Sequence, residues 1–98
     1  MRSVVQRASD ESKQLRQEAG QWLRSLREGH SLTQRDLAER IGLRYYTFIS
    51  QIESGQGRIP SEQYEAWARA LEMEPREFVK TLMQFYDPHT YRLVFPEE

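Results

Sequence analysis

Two short helical patterns separated by one glycine dominate the sequence between residues 33 and 55. Thr33 and Asp36 form a capping-box-like pair, in which the hydroxyl accepts from free amides of the first turn while the carboxylate lies at the positive helix end. Gly42 then permits a sharp turn that a bulkier side chain would strain. The second helix of the pair ends at Gly55. Residues expected on the buried faces of these two helices are Leu37, Ala38, Ile41, Ile49 and Ile52.

Three further helices are expected around this pair. From Leu15 onward, apolar residues recur at steps of three and four, and Gly29 is expected to close that first helix in a left-handed conformation. Pro60 and Ser61 open a fourth helix and Pro75 opens a fifth. The apolar stripes include Ala19, Trp22, Leu23, Leu26, Tyr64, Trp67, Ala68, Leu71, Phe78, Val79, Leu82, Met83 and Tyr86. The sequence therefore predicts an all-α chain of five helices with an aromatic core.

A chain of 98 residues fits one compact domain. Residues 1–12 show no sustained apolar period and predict a flexible lead-in. The helical domain is expected to span residues 13–86, followed by a tail of residues 87–98. No apolar run of membrane-spanning length and no secretory leader is evident, so we expect a cytoplasmic protein without a membrane partner.

The tail changes character after the fifth helix. Asp87 and Pro88 break that helix, and residues 90–95 then alternate. Tyr91, Leu93 and Phe95 fall on one side, which favours a short strand and makes them candidate dimerisation residues. A lone strand needs a partner edge for its backbone groups, so we expect either pairing with a second copy or a tail packed on the core.

Charge is distributed unevenly along the chain. The formal net charge of −1 does not by itself favour a nucleic-acid-binding protein, because neutralising phosphates requires lysine and arginine on the surface. Residues 1–59, however, carry ten basic and seven acidic side chains, whereas residues 60–98 carry four and eight. Twelve of the fourteen basic residues are arginine, whose planar donor fork suits phosphate and guanine.

Several kinds of site are not expected. The sequence has no cysteine, and His30 and His89 have no ligand partner at a helical spacing, so neither a disulfide nor a bound metal or other cofactor is predicted. The carboxylates include no isolated pair in an apolar setting, and no serine–histidine arrangement is evident. We therefore do not expect an enzyme.

Residues 33–55 resemble the helix-turn-helix of the Cro/repressor (XRE) family of DNA-binding regulators. The likeness extends from about Gly20 to Phe78. The stretch from Gly42 to Gly55 has one residue more than is usual in the family, near Arg44 and Tyr45. The additional residue either lengthens the turn or shifts the recognition helix by one position, and either change alters which of Tyr45, Tyr46 and Thr47 faces a base. The residues that carry the resemblance are Thr33-Gln34, Leu37-Ala38, Ile41-Gly42 and Ile49-Ser50-Gln51-Ile52-Glu53-Ser54-Gly55.

The resemblance implies a repressor-like DNA-binding domain with the third helix in the major groove. Base-contact candidates are Tyr45, Tyr46, Thr47, Ser50 and Gln51. Candidates for contacts to phosphates are Gln34, Arg35, Arg44 and Arg58. By the same resemblance, Arg27 and Glu53 match positions that form an internal ion pair in some family members.

These features favour a sequence-specific regulator, most simply a repressor that binds an inverted repeat in double-stranded DNA as a homodimer. The resemblance places it in a bacterium or phage, at the nucleoid. One alternative is an antitoxin-like protein that regulates its own gene while the tail grips a partner protein. Another keeps the fold but uses it only for protein contacts. Activation is the alternative mechanism for a DNA-binding regulator, with acidic residues of the C-terminal half meeting the transcription machinery or another protein partner.

Overall fold

The structure, a computed structural model, describes residues 4–96, and the side chains of residues 10–96. Within this range the chain is all-α and has no strand, which confirms the predicted fold class. A 3-10 turn, Ser61–Gln63, precedes α4. The six α-helices are α1, Val4–Gly29; α2, Gln34–Ile41; α3, Thr47–Glu53; α4, Tyr64–Ala70; α5, Pro75–Tyr86; and α6, Pro88–Val94.

The core forms between the first five helices, with α1 packed on α3 and α5, and α4 packed on α2 and α5. Trp67 and Phe78 are fully buried, as the periodicity predicted, whereas Trp22 and Tyr64 are only half-buried. Trp22 stacks on Phe78 with ring centroids 5.5 Å apart, so the aromatic residues of α1 and α5 join in one cluster. The other large, fully buried side chains are Leu23, Leu37, Ile49, Ile59, Leu71 and Leu82.

The caps of α2 form as the sequence predicted. The Thr33 hydroxyl accepts from the Asp36 N–H at 3.0 Å, and the Asp36 carboxylate accepts from the Thr33 N–H at 2.9 Å. Hydrogen bonds from the Thr33 backbone and side chain lower the pKa of Asp36. At the other end Gly42 takes φ 91°, and its N–H donates to the Ala38 carbonyl at 2.9 Å. This left-handed residue directs the chain out of α2.

The first helix is longer than expected. It begins at Val4, so the part of the predicted lead-in that lies within residues 4–12 is helical; residues 1–3 lie outside the described residues. Within residues 4–12, Gln6, Arg7, Ala8 and Glu11 favour a helix by backbone propensity, without the apolar period that the sequence interpretation required. Despite its length, α1 is polar, and no helix within residues 4–96 is long and apolar enough to cross a membrane.

The end of α1 lies where the sequence predicted it, but its closing conformation differs from the prediction. Gly29 is its last helical residue, and the left-handed residue is Ser31, at φ 58°. The Ser31 N–H donates to the Glu28 carbonyl at 2.9 Å, and the Leu32 N–H donates to the Arg27 carbonyl at 3.1 Å. These two bonds satisfy free carbonyls of the last turn. The helix thus ends at Gly29 as predicted, but the predicted left-handed conformation of Gly29 was wrong, because Ser31 adopts it two positions later.

The predicted strand at residues 90–95 is wrong, because this segment forms α6. Pro88 occupies the first turn of the helix, and the Asp87 carboxylate accepts from the Thr90 hydroxyl at 2.6 Å and the Thr90 N–H at 3.1 Å. The hydrogen bond from the Thr90 hydroxyl, and to a lesser extent the one from the Thr90 N–H, lower the pKa of Asp87. Asp87 and Pro88 thus end one helix and begin the next.

In α6 the residues expected on one strand face separate. Tyr91 and Phe95 are one helical turn apart, with ring centroids at 5.7 Å, and Phe95 is buried under Arg76. Leu93 points away from them and is 83% exposed. The tail thus packs on α5, with Phe95 against Arg76 and Tyr91 against Phe95, which was the second of the two expected forms.

A pair of glycines in α1 tests how tightly α1 and α3 are packed. A Cβ at Gly20 would lie 2.8 Å from the Ile52 carbonyl oxygen and closer still to that of Glu53, whereas a Cβ at Gly29 meets nothing within 4 Å. We expect Gly20→Ala to lower the free energy of unfolding by about 1–3 kcal/mol. Gly29→Ala is expected to raise it by up to about 1 kcal/mol. Urea unfolding measures both, and equal effects would contradict the packing.

Candidate nucleic-acid interface

The helix α3 presents one face to the core and another to the solvent. Ile49, Ile52 and Glu53 are buried. At 100° per residue, Thr47 and Gln51 lie opposite the two isoleucines, and both are exposed. Exposed Phe48 and Ser50 flank them on either side. The sequence-predicted base-contact residues of this helix therefore share an open surface.

A buried ion pair fixes α3 against α1. The Arg27 guanidinium donates from Nε to Glu53 Oε2 at 2.6 Å and from Nη2 to Oε1 at 2.9 Å. The two side chains are 9% and 4% exposed. The hydrogen bond to Glu53 raises the pKa of Arg27, against the lowering effect of burial. The ion pair inferred from the resemblance is thus present, and its two parallel bonds restrict rotation as well as distance.

Two more bonds extend this pair to the loop and to α2. Arg27 Nη1 donates to the Leu32 carbonyl at 2.8 Å, just before the cap of α2. Gln34, the first residue of α2, donates from Nε2 to Glu53 Oε1 at 3.1 Å. We call Arg27, Glu53 and Gln34 the anchor network. It connects the end of α3 to the start of α2 and to the last turns of α1.

The turn between α2 and α3 spans residues 42–46 and contains Arg44 and Tyr45, near which the sequence has its additional residue. Tyr45 and Tyr46 are 53% and 39% exposed, and Tyr46 immediately precedes the first residue of α3. Arg44 lies over the Tyr45 ring at 5.3 Å, and Arg35 of α2 lies over the Tyr46 ring at 4.6 Å. Two of the predicted phosphate-contact arginines thus pack on two of the predicted base-contact tyrosines.

A third predicted phosphate-contact residue, Arg58, lies in the loop after α3. Its guanidinium is 4.6 Å from the centre of the Tyr86 ring. The Tyr86 hydroxyl accepts from the Ile59 N–H at 3.0 Å, and burial raises the pKa of this phenol. The loop is therefore held to α5 at Arg58 and at Ile59. Arg58 and Gln51 line one hollow of about 180 Å³ beside α3.

Phe48 is the residue of this surface that the sequence interpretation did not assign. It is 47% exposed, and its ring lies 6.4 Å from that of Tyr45. We call Tyr45, Tyr46 and Phe48 the aromatic patch. The buried isoleucine pair at positions 49 and 52 was the available signal, because it turns the side chain at position 48 toward the edge of the outward face.

The anchor network makes a testable contribution to stability. Arg27→Ala leaves the Glu53 carboxylate buried without its partner, so we expect the free energy of unfolding to fall by about 3–5 kcal/mol. The control is Arg24→Ala, which breaks the 3.3 Å pair with Glu28, whose side chains are 63% and 56% exposed. That loss should stay within about 0.5 kcal/mol. Denaturant unfolding in which the two variants match would refute a structural role for the buried pair.

Comparisons with known proteins agree with this geometry. The profile of a family described as a helix-turn-helix domain matches residues 20–93, from α1 into α6. No curated protein and no solved structure matches the sequence. The matched region contains α2, the turn, α3 and the anchor network, and it is consistent with the resemblance to XRE-type regulators. It covers well over half of the chain, which therefore belongs to the helix-turn-helix domain family, a DNA-binding family.

Proposed function

We propose that this protein is a sequence-specific transcriptional regulator of the Cro/repressor type, which represses by occupying an inverted repeat in double-stranded DNA as a homodimer. The observation that carries the proposal is the outward face of α3, where Thr47, Ser50 and Gln51 are exposed on a helix held rigidly by the anchor network. Polar side chains on such a helix match the donors and acceptors of the major groove.

Within the major groove, Gln51 forms paired hydrogen bonds with an adenine edge. Thr47, at the start of α3, bonds a base or touches a thymine methyl, and Ser50 adds a hydrogen bond to either kind of base. Tyr45 and Tyr46 lie at the entrance of the helix, where their hydroxyls reach bases or phosphates. Support for these roles comes from the exposure of all five side chains on adjoining surfaces.

Contacts to the DNA backbone are assigned to Gln34, Arg35, Arg44 and Arg58. Gln34 begins α2, where free N–H groups and the helix dipole favour a phosphate, and its bond to Glu53 keeps its side chain in place. The three arginines are exposed on α2, on the turn and on the loop that follows α3. A local excess of arginine near α3 explains how a chain of net charge −1 neutralises phosphates.

Homodimerisation is assigned to α6. Leu93 is 83% exposed and Val94 is 52% exposed, on a helix whose other side is packed on α5. Tyr91 and Phe95 lie beneath this surface and pack against each other. A dimer of twofold symmetry would place two copies of α3 in successive major grooves about 34 Å apart. An operator with two half-sites in inverted orientation follows from that symmetry.

The test of the proposal is selection of bound duplexes from a random DNA pool, followed by affinity measurements against salt for the best duplex and a scrambled control. Enrichment of an inverted repeat, with affinity that falls steeply with salt, is the expected result. No enrichment and no salt-dependent binding would refute the proposal. Such a result would instead favour a role in protein contacts, to be tested by co-purification of a partner.

Base contacts and phosphate contacts are expected to respond differently to substitution. Gln51→Ala should weaken binding to the selected duplex by about 1–3 kcal/mol while leaving the scrambled control unchanged. Arg58→Ala should weaken binding to both duplexes and reduce the slope against salt by about 1. Arg69→Ala, which removes an arginine paired with Glu65 on α4, is the charge control and should leave the slope unchanged. Equal losses on both duplexes for Gln51→Ala would contradict its base contact.

The role of α6 is tested by the particle mass in solution. Leu93→Asp places a charge on the exposed apolar side chain, so we expect a dimer-to-monomer change in light scattering. Gln84→Asp introduces the same charge at an exposed position of α5 and should leave the mass unchanged. A Leu93→Asp variant that remains dimeric would show that the interface lies elsewhere.

A further inference from the structure

Phe48 is an unusual residue for an exposed face of a DNA-reading helix, because its side chain carries no donor and no acceptor. One edge of the ring is packed, against Tyr45 at 6.4 Å and beside the hollow that Leu43 and Ile52 line. The remaining 47% of the residue is open to solvent. Packing on one side holds the ring in place while the other side stays free for a ligand.

The position of Phe48 on α3 puts this free edge beside the base-contact residues. Phe48 follows Thr47 directly and precedes Gln51 by three residues, so all three fall within the first turn and a half of the helix. It sits on the flank of the outward face, toward the buried side of Ile52. A helix that places Thr47 and Gln51 in the groove therefore brings Phe48 to a neighbouring base pair.

We propose that Phe48 recognises the 5-methyl group of a thymine at the edge of each half-site. The inference rests on the proposed function and adds a specificity-determining residue to it. Among the groups that bases present in the major groove, the thymine methyl is the apolar one. A ring without polar atoms gains nothing from the N7, O6, O4 or N4 positions and would only remove water from them.

The experiment uses the full chain and the best duplex from random-pool selection, in versions where single thymines are replaced by deoxyuridine. This replacement removes one methyl group and leaves the hydrogen-bonding edge unchanged. One position in each half-site is expected to lose about fourfold in affinity, the effect of one buried methyl-sized group. Phe48→Ala should abolish that preference for thymine over uracil, and Phe48→Leu, which keeps an apolar side chain, should retain it.

Thr47→Ser is the matched control, since it removes the other methyl group that can touch thymine on the same helix turn. It should leave the preference at the Phe48 position intact. Equal affinity of the unaltered protein for all thymine and uracil duplexes would overturn the inference and leave the proposed function standing. A preference that persists in Phe48→Ala would overturn it as well, by assigning the methyl contact to another residue. Failure to bind any duplex would remove the proposed function and this inference together.

Discussion

The ion pair between Arg27 and Glu53 is the contact on which the geometry of the interface depends. Its bonds of 2.6 and 2.9 Å join α1 to the last residue of α3, and Glu53 also holds Gln34 at the start of α2. A buried pair of this kind contributes little net stability compared with apolar packing, since desolvation offsets most of the attraction. Its directional bonds instead admit one arrangement of the three helices.

That arrangement matters because α3 has only seven residues, too few to be stable as an isolated helix. Ile49 and Ile52 bury one side of α3 in the core, and the carboxylate of Glu53 fixes the orientation of the helix. Because one side of α3 is fixed to the core, its opposite side is free to carry polar residues and the aromatic patch. In the proposed mode of DNA recognition, one side of this short helix is fixed to the core and the other side faces the DNA.

Prediction from the sequence was most accurate where a local pattern of residues is compatible with only one structure. The box of Thr33 and Asp36, the left-handed Gly42 and the buried isoleucines of α3 all formed as expected. Prediction failed where two rules competed. Residues 90–95 alternate like a strand, but the cap at Asp87 decides for a helix, and α1 extends over residues without an apolar period. The closure at Ser31 carries no sequence signal, because left-handed serine is uncommon.

DNA reading by the outward face of α3 is tested by titrating isotope-labelled protein with the selected duplex and following the chemical shifts of the backbone amides. We expect the largest shift changes at residues 46–51, with smaller ones at Gln34 and Arg58 where phosphates bind. A scrambled duplex should shift the amides of the phosphate-contact residues more than those of α3. Shift changes confined to α5 and α6, with none in α3 for any duplex, would contradict DNA reading by α3.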